Sequence, residues 1–462
     1  MSDWLLSVGL DVGTTSTQLI VSQLLVENNA SGFTVPEMVI AQRSVRYKSP
    51  VYFTPLLGQD LVDGEGIRRI VEAEYARAGI QRQDVDTGAV IITGETSRRE
   101  NARAVLAALS DFAGDFVVAT AGPDLESVLA AKGAGAVRYS EETGKAVLHM
   151  DIGGGTANLA LIESGKITAT TCLNVGGRLI KMDESGRVCY VSPVLEGLTT
   201  LRVGDEATQE QLRSVSETLV QALEMAAGLR EPTAQLEKLT TKEVQEKRIA
   251  TPVCGLACND TENLVISFSG GVADCIEKEI DWLEFGDMGP ILGQAIRHSR
   301  LCNGSYRLGD ETIRATVIGA GCHSAQLSGS TVFYKNIDFP MKNLPVVRLT
   351  QQELSARRIR EALGRLDADG VLAIPGLSAP DYGTVKAMAS AIAEGFAGRQ
   401  VLVAVETDMA KALGQAIALQ LTEETGCLCI DSVKLEDGSF LDVGAPVAFA
   451  LPVVVKTLVL GE

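Results

Sequence analysis

The sequence is poor in aromatic residues, in histidine and in positive charge. Aromatic side chains make up 5% of its 462 residues, histidine occurs three times, and the formal net charge is -18. A surface with this excess of carboxylates repels phosphate backbones, so the charge argues against a nucleic acid as partner. An anionic ligand would have to bind through backbone dipoles and a metal ion rather than through a basic patch. The rest of the composition, 46% hydrophobic and 22% charged, is that of a folded globular protein.

Targeting and membrane-spanning segments are also lacking. The first residues, MSDWLLSVGLDVG, carry no basic region and no cleavage site, which argues against a secretory signal. The apolar C-terminal stretch VGAPVAFALPVVVKTLVLGE is interrupted by Pro446, Pro452 and Lys456. Such interruptions favour two short strands over a membrane span. We therefore expect a soluble, cytoplasmic protein that does not bind a membrane.

The cysteines do not form a disulfide framework. Nine occur, an odd number, scattered from Cys172 to Cys429, which favours reduced thiols. Two close pairs, Cys254 with Cys258 and Cys427 with Cys429, raise the alternative of a zinc site. Their spacing is poor for zinc and few histidines could complete the ligands, so we expect small, buried apolar side chains.

No P-loop of the form G-x-x-x-x-G-K-[ST] is present, but another glycine-containing pattern occurs twice. Residues 8–21 have the sequence VGLDVGTTSTQLIV, and residues 147–162 have the sequence VLHMDIGGGTANLALI. Alignment pairs chemically similar positions, which are Asp11 with Asp151, Gly13 with Gly153, and Gln18 with Asn158. Each copy predicts a strand, a tight turn and a second strand. A repeat of this kind predicts two related domains that face each other.

The turns of this repeat suit a polyphosphate. Small residues let backbone N–H groups converge on an oxyanion, and a Cβ atom would block that approach. An aspartate at the strand end can hold a hydrated Mg²⁺ ion, which prefers a few carboxylates together with waters and phosphate oxygens. The metal candidates are Asp11 and Asp151. The phosphate-binding candidates are Gly13, Thr14, Thr15, Gly153, Gly154, Gly155 and Thr156.

Four stretches together resemble the ATPase superfamily of actin, sugar kinases and Hsp70-type chaperones. LDVGTTSTQLIV and MDIGGGTANLAL are similar to its two phosphate loops. LVISFSGGVADCI (264–276) resembles its adenosine motif, in which Ser269, Gly270 and Gly271 would lie against adenine and ribose. TVIGAGCHSAQLSG (316–329) resembles its second connecting helix, and we include Gly319 there among the nucleotide-binding candidates. The resemblance implies ATP or ADP with Mg²⁺, bound in a cleft between two domains.

Within this superfamily the chain is similar to the ATPases that reactivate ethanolamine ammonia-lyase, an adenosylcobalamin-dependent enzyme. Three stretches carry this resemblance, which are IGAGCHSAQLSG, VVATAGPDLESVLAAKGAGAV and CIDSVKLEDGSFLDVGAPVAFALPVVVKTLVL. It implies a chaperone-like factor that uses ATP to open the lyase, so that damaged cobalamin leaves and adenosylcobalamin enters. Cobalamin would belong to the partner enzyme, because no DxHxxG-like cobalamin loop occurs. The resemblance also implies association with a bacterial microcompartment. The sequence leaves self-association into a homo-oligomer open.

The residue that polarises the attacking water is less well defined. The superfamily's first connecting helix often starts with an acidic residue before a proline, but here a glycine precedes Pro123. The nearby acids are Asp124 and Glu126. We take Glu126, together with Asp11 and Asp151, as the catalytic candidates. No lysine occupies an obvious catalytic position.

Two other functions remain open from the residues alone. A small-molecule kinase of the same fold would need an aspartate base beside an acceptor pocket, and Asp60, Asp63 and Asp86 are its candidates. An actin-like, nucleotide-gated scaffold would need self-assembling surfaces, which the strong negative charge disfavours.

Three further charged residues are weaker candidates. Glu95 follows a predicted core strand, where a charge at the start of a helix is the simpler interpretation. Lys242 and Lys247 lie in a predicted helix (237–249) that could edge an adenosine pocket. A solvated helix face is the interpretation that we favour for both lysines.

The predicted fold class is α/β, with two related actin-like (ribonuclease H-like) ATPase domains around a nucleotide cleft and a C-terminal α/β accessory region. The predicted domains are residues 1–146, 147–330 and 331–462. Periodicity predicts helices over 65–79, 209–229, 237–249, 354–366 and 382–398. It predicts strands within 88–101, 370–376 and 400–406. The stretch 334–349, which carries Pro340 and Pro345, is predicted to be a linker.

Overall fold

A computed structural model describes most of the chain as three large β-sheets with helices packed against them. It describes residues 3–13, 16–28, 38–57, 61–92, 117–120, 123–241, 264–323, 326–328, 331–366, 369–377, 380–437, 439–446 and 450–456. In these ranges the strands are β1 (Asp3–Val12), β2 (Ser16–Asn28), β3 (Met38–Lys48), β4 (Tyr52–Phe53), β5 (Leu56–Leu57), β6 (Leu61–Val62), β7 (Thr87–Ile92), β8 (Val117–Thr120), β9 (Ala146–Ile152), β10 (Ala157–Glu163), β11 (Lys166–Leu173), β12 (Ile180–Met182), β13 (Val188–Val191), β14 (Leu264–Ser269), β15 (Tyr306–Leu308), β16 (Gln326–Leu327), β17 (Phe333–Lys335), β18 (Met341–Arg348), β19 (Val371–Ile374), β20 (Val401–Val405), β21 (Cys427–Ile430), β22 (Phe440–Val443) and β23 (Pro452–Lys456). The α-helices are α1 (Gly64–Ala78), α2 (Pro123–Gly133), α3 (Ala136–Thr143), α4 (Gln209–Ala226), α5 (Ala234–Leu239), α6 (Gly289–Arg297), α7 (Ala315–His323), α8 (Ala356–Leu363), α9 (Tyr382–Phe396) and α10 (Ala410–Ala418).

The first two sheets have the same architecture. The first has the strand order β3-β2-β1-β7-β8, and the second has the order β11-β10-β9-β14-β15. In each, the first three strands along the chain form an antiparallel meander, and two later strands join it in parallel. In the first sheet the short strand β4 also pairs antiparallel with β2. The predicted duplication and the α/β class are therefore confirmed by the topology.

Helix α1 illustrates how the sequence forms these layers. Ile67, Val71 and Tyr75 follow each other at one turn's spacing and are buried in one core cluster with residues of β1, β2 and β7. The side chain of Asp63 accepts a hydrogen bond from Gly66 N–H at the N-terminus. Gly79 ends the helix in the left-handed conformation at φ 67°. The helix predicted over 65–79 is thus confirmed.

Two helices, α2 and α7, cross each other at glycines. A Cβ atom on Gly319 would lie 2.0 Å from the carbonyl oxygen of Leu129, and one on Gly133 would lie 1.9 Å from that of Ala315. The same helix α7 meets strand β1 at Gly9, where a Cβ atom would lie 2.6 Å from the Val317 carbonyl oxygen. Only glycine permits backbones to approach this closely. Helix α7, which follows the second sheet along the chain, is therefore packed against the first sheet.

The third sheet has the order β16-β23-β22-β18-β19-β20-β21-β17. Strands β18 to β21 are parallel, and α8, α9 and α10 connect them in turn. The linker predicted over 334–349 is wrong, because β18 runs through it to Arg348 at the centre of this sheet. Leu344 and Val346 point into one buried cluster and Val347 into the other, so apolar burial on both faces outweighs the prolines. Pro345 faces β22, next to a register shift between Met341 and Leu344.

The other predicted elements are mostly confirmed. Helices α4, α8 and α9 and strands β7, β19 and β20 lie where periodicity placed them. The helix predicted over 237–249 is wrong at its start, since α5 ends at Leu239 and Thr240 forms a β-bridge with Leu173. Residues 242–249 lie outside the described ranges. In the C-terminal stretch, β22 ends at Val443 and β23 follows it antiparallel.

Cys427 and Cys429 lie in the interior of the third sheet. Both are buried in the cluster that β21 forms with α8, α9 and α10, and burial raises the pKa of the Cys427 thiol to about 11. They are small apolar residues of this core, as predicted. Cys254 and Cys258 lie outside the described residues. Among the described residues no helix has the length and hydropathy required to cross a bilayer.

Candidate functional site

Two aspartates lie at corresponding places in the two related sheets. Asp11 is near the end of β1, directly opposite Gln18 of β2. Asp151 is near the end of β9, directly opposite Asn158 of β10. The two carboxyl groups are nearly buried, with exposures of 8% and 7%. Each sheet therefore presents one carboxyl group and one amide group side by side.

The turn after each aspartate has the same internal hydrogen bond. Gly13 N–H donates to the Ser16 carbonyl at 2.8 Å, and Gly153 N–H donates to the Thr156 carbonyl at 2.9 Å. These two N–H groups are thus engaged within their turns, and the assignment of Gly13 and Gly153 to the phosphates stays a prediction. Thr14 and Thr15 lie outside the described residues.

The second turn keeps open space where a ligand could approach. A Cβ atom on Gly155 would meet nothing within 4 Å, and one on Gly153 would meet only the Thr156 carbonyl oxygen at 3.7 Å. Gly154 instead lies against the aliphatic part of Arg178, 3.3 Å from its Cδ. The side chain of Arg178 pairs with Asp287 at 3.0 Å. Sequence reasoning missed this cation beside the loop because nothing in its local sequence marks it.

Glu126 is brought to both aspartates by the first turns of α2. It is 9% exposed, and burial, together with the charges of Asp11 and Asp151, raises the pKa of its carboxyl group well above its ordinary value. A hydrogen bond with Asn158 acts in the opposite direction. The three catalytic candidates therefore form one cluster between the two sheets. The side chain of Asp124 lies outside the described residues.

The amide groups beside the aspartates each retain an unpaired oxygen. Gln18 Nε2 donates to the Ile313 carbonyl at 3.1 Å, while Gln18 Oε1 is buried with no hydrogen-bond partner. Asn158 bonds Glu126, while Asn158 Oδ1 is likewise buried and unpaired. Leaving such atoms unpaired costs about 1–3 kcal/mol each, which a water or a hydrated cation would recover. The alignment paired Gln18 with Asn158. Only their burial and cross-strand register show that each presents an unpaired oxygen beside an aspartate.

The predicted adenosine motif lies at the end of β14, beside Asp151. Gly270 has φ +85°, and a Cβ atom on it would lie 2.2 Å from the Ile152 carbonyl oxygen, so it holds β14 close to β9. Gly271 is open, because a Cβ atom there would meet only Ile313 Cδ1 at 4.0 Å. The Ser269 side chain is buried and its hydroxyl donates to Asp151 Oδ1. Thr316 of α7 donates to the other oxygen at 3.3 Å.

The remaining candidates lie apart from this cluster. Gly319 is at the crossing of α7 with α2, and the close packing of these helices explains why a glycine stands there. Its assignment to the nucleotide stays a prediction. Asp63 caps α1, and Asp86 accepts a hydrogen bond from Leu6 N–H at 2.7 Å. Both candidate kinase bases thus have structural partners. The candidates that lie outside the described residues are Asp60, Glu95, Lys242 and Lys247.

Within the described ranges, no three carboxyl, imidazole or thiol side chains are arranged as direct ligands of one metal ion. The cluster at Asp11 and Asp151 instead suits a cation that keeps its waters, since the unpaired oxygens of Gln18 and Asn158 can accept hydrogen bonds from them. The donor set is all oxygen, which fits Mg²⁺ chemically.

Comparison with known proteins identifies the family of this chain. Among solved structures, the Aquifex aeolicus PPX-GPPA enzyme is similar over 69% of this chain and 99% of that one, at 13% identity and a TM-score of 0.41. Ethanolamine ammonia-lyase reactivase EutA of Salmonella typhimurium is 38% identical, over 98% of each chain. The Escherichia coli protein of that name is 37% identical, over 98% of each chain. The family described as Ethanolamine utilisation protein EutA matches residues 3–461. This chain therefore belongs to the family of ethanolamine utilisation protein EutA.

Proposed function

We propose that this chain is an ATP-dependent, chaperone-like reactivating factor for ethanolamine ammonia-lyase. The names of the two full-length relatives support the partner. The observation that supports the use of ATP is the cluster of Asp11, Asp151 and Glu126 between two related sheets. In this proposal the protein opens the inactivated lyase, damaged cobalamin leaves, and adenosylcobalamin binds in its place.

The nucleotide would lie across the two turns. Backbone N–H groups of Gly154, Gly155 and Thr156 would donate to phosphate oxygens, whereas Gly153 N–H is used inside the turn. The open side of Gly271 leaves room for the nucleoside. Thr14 and Thr15 would serve the phosphates from the first domain, as the sequence predicts.

Asp11 and Asp151 would hold Mg²⁺ through its waters, with Gln18 and Asn158 accepting from the same waters. When bound, Mg²⁺ neutralises negative charge on the phosphate oxygens. The hydroxyls of Ser269 and Thr316 keep Asp151 in place by donating to its two oxygens. These donations oppose the effect of burial, which raises the pKa of Asp151.

Glu126 would orient the water that attacks the γ-phosphate. Its raised pKa makes its carboxylate a stronger base than an exposed carboxylate. Hydrolysis removes the group that both turns contact, so the ATP and ADP states differ in how firmly the two domains are held together. A ligand biases a conformational equilibrium only by its differential affinity, typically about 1–3 kcal/mol, and this would be the coupling available to open the lyase.

The experiment is the rescue of a poisoned lyase. Holo-ethanolamine ammonia-lyase is inactivated with cyanocobalamin, and this protein is added with adenosylcobalamin and Mg²⁺, with and without ATP. We expect ethanolamine turnover to recover only with ATP. Asp11→Asn and Asp151→Asn should each abolish recovery, while Asp338→Asn, which alters an exposed carboxylate, should recover normally.

Two results would contradict the proposal in different ways. Recovery without nucleotide would support ethanolamine ammonia-lyase as the partner and would show that the rescue does not require ATP. A wild-type protein that binds ATP but rescues nothing would refute the partner, and transfer of phosphate to a small acceptor would then identify a kinase.

A further inference from the structure

We propose that His149 is a positioning residue for Asp151, acting through Ser269. Its imidazole fixes the Ser269 hydroxyl so that the proton of that hydroxyl points at the carboxylate. This inference rests on the proposed nucleotide site, because it concerns how one carboxylate of that site is held. Neither the motifs nor the family resemblance assigned a role to this histidine.

Four residues, which are His149, Asp151, Ser267 and Ser269, form a continuous set of contacts on two neighbouring parallel strands. The register of β9 and β14 places His149 beside Ser267 and Asp151 beside Ser269. Residues two apart on a strand share a face, so all four side chains point the same way. His149, Ser267 and Ser269 are fully buried and Asp151 is 7% exposed. The next pair on this face, Val147 and Val265, belongs to an apolar cluster against α2 and α3.

The hydrogen bonds determine which imidazole nitrogen carries the proton. Ser269 has one hydroxyl proton and uses it toward Asp151 Oδ1. The contact of 2.9 Å between Ser269 Oγ and His149 Nε2 must therefore have the imidazole as donor. The ring is fully buried and both of its nitrogens contact serine hydroxyls, a setting that favours the neutral form.

A neutral ring with its proton on Nε2 has a bare Nδ1, which needs a donor. Ser267 Oγ lies 3.1 Å from His149 Nδ1 and supplies one. The donations then run in a single direction, from Ser267 to His149, from His149 to Ser269, and from Ser269 to Asp151. The Ser269 hydroxyl has both its proton and one acceptor lone pair assigned, so it has no alternative orientation that keeps Asp151 and His149 paired.

This arrangement leaves the remaining lone pairs of Asp151 in a fixed direction, beside Asn158 and Glu126. Without the imidazole donor, the Ser269 hydroxyl can rotate away and the carboxylate can turn. A buried histidine with satisfied hydrogen bonds could also serve stability alone. The two roles differ in what they predict for cation-dependent binding and for the tautomer of the ring.

The first test is the tautomer itself, measured by long-range ¹H–¹⁵N NMR on the full-length, nucleotide-free protein at neutral pH. The chain has three histidines, and the spectrum of His149→Gln assigns the signal of His149. We expect the neutral ring with its proton on Nε2. In Ser267→Ala, which deletes the donor to Nδ1 and changes little volume, we expect the proton to stay on Nε2, because Ser269 still accepts it. A charged ring, or the Nδ1–H form in the wild type, would overturn the inference.

The second test is nucleotide binding as a function of Mg²⁺, followed with a fluorescent ADP analogue. In His149→Leu we expect the Mg²⁺ concentration at half-maximal binding to rise about tenfold, the size of effect that one lost hydrogen bond gives. Binding without Mg²⁺ should not change. His149→Gln keeps a donor and an acceptor and should stay within about threefold of wild type. His298→Gln, at an exposed histidine, is the matched control.

The outcomes separate this inference from the proposed function. If His149→Leu folds and its Mg²⁺ dependence equals that of wild type, His149 does not position Asp151. If His149→Leu does not fold, Ser267→Ala takes its place, with a smaller rise in the same concentration expected. If the wild type binds no nucleotide at all, the proposed function fails, and the NMR measurement alone decides whether the imidazole holds Ser269 as described.

Discussion

Glu126 is the residue whose substitution separates chemistry from binding. Glu126→Gln keeps the size and the hydrogen-bonding capacity of the side chain and removes the proposed general base. We expect ATP hydrolysis to fall about 100-fold or more, with Mg-ATP binding within about threefold of wild type, because the phosphates are held elsewhere. Phosphate release and calorimetric binding measure the two effects. Glu279→Gln, at an exposed site, should change neither, and full hydrolysis by Glu126→Gln would remove Glu126 from the mechanism.

The same residue predicts a pH dependence of stability. The folded state raises the pKa of Glu126 above its ordinary value of 4.5, so folding favours the protonated form. Its contribution to stability is complete below that value and is lost as pH rises through the folded-state pKa. The variant Glu126→Gln has no titrating group at this position, so its stability does not show this loss. The melting temperature of the nucleotide-free variant, relative to wild type, should therefore be higher at about pH 8 than at about pH 5, by a few degrees. An equal difference at both pH values would contradict the raised pKa.

Single residues could be predicted as site candidates where a local sequence motif indicates their chemistry. Asp11, Asp151 and Glu126 follow from a repeated turn and a connecting helix, and the structure brings all three together. His149 and Arg178 did not follow, because their partners are distant along the chain. Ser269 meets Asp151 only through the pairing of β14 with β9, which no local pattern encodes.

At the scale of elements, the crossing of α2 and α7 carries a prediction about Gly319. A methyl group there would lie 2.0 Å from the Leu129 carbonyl oxygen, which is backbone and cannot rotate away. We expect Gly319→Ala to lower the free energy of unfolding by about 2–3 kcal/mol through separation of the two helices. Gly304→Ala, where an added Cβ atom would meet nothing, should change it by less than about 0.5 kcal/mol. Denaturant unfolding measures both.

The alternative role of Gly319 gives the opposite result. If this glycine served the nucleotide directly, as the motif suggested, Gly319→Ala would reduce affinity for Mg-ATP while stability stayed close to that of wild type. Calorimetric titration of the folded variant distinguishes the two roles.

Strands and helices were predictable where their buried apolar residues recur at a regular spacing along the sequence. Helix α1, for example, buries one stripe, and its capping residues stand at both ends. Strand β18 was missed because Pro340 and Pro345 suggested a linker, although burial on both faces fixes it as a strand. The end of α5 was missed because charged residues continue a helical composition past Leu239, whereas the chain turns there to meet Leu173.

The whole molecule is organised around the duplication of one sheet. The order and direction of strands agree in the first two sheets, and the corresponding carboxyl and amide pairs converge on the space between them. The third sheet has a different order, with four sequential parallel strands, and no sequence motif assigned it a task. A net charge of -18 would repel an anionic nucleotide at long range, which agrees with the proposal that a cation takes part in nucleotide binding.

Shared holding of one cation by two domains predicts strong non-additivity between Asp11 and Asp151. We expect Asp11→Asn and Asp151→Asn each to weaken Mg-ADP binding by at least about tenfold, because either change breaks the same site. The double variant should be no more than about threefold weaker than the worse single variant. Isothermal titration with and without Mg²⁺ measures the ADP affinity of the wild type, the two single variants and the double variant. All four should bind ADP equally without Mg²⁺. Asp11→Asn combined with Asp338→Asn, an exposed residue, should show simple additivity. If Asp11 and Asp151 also proved additive, each sheet would hold its own ligand, and closure of the two domains around one nucleotide would no longer explain how ATP acts on the partner.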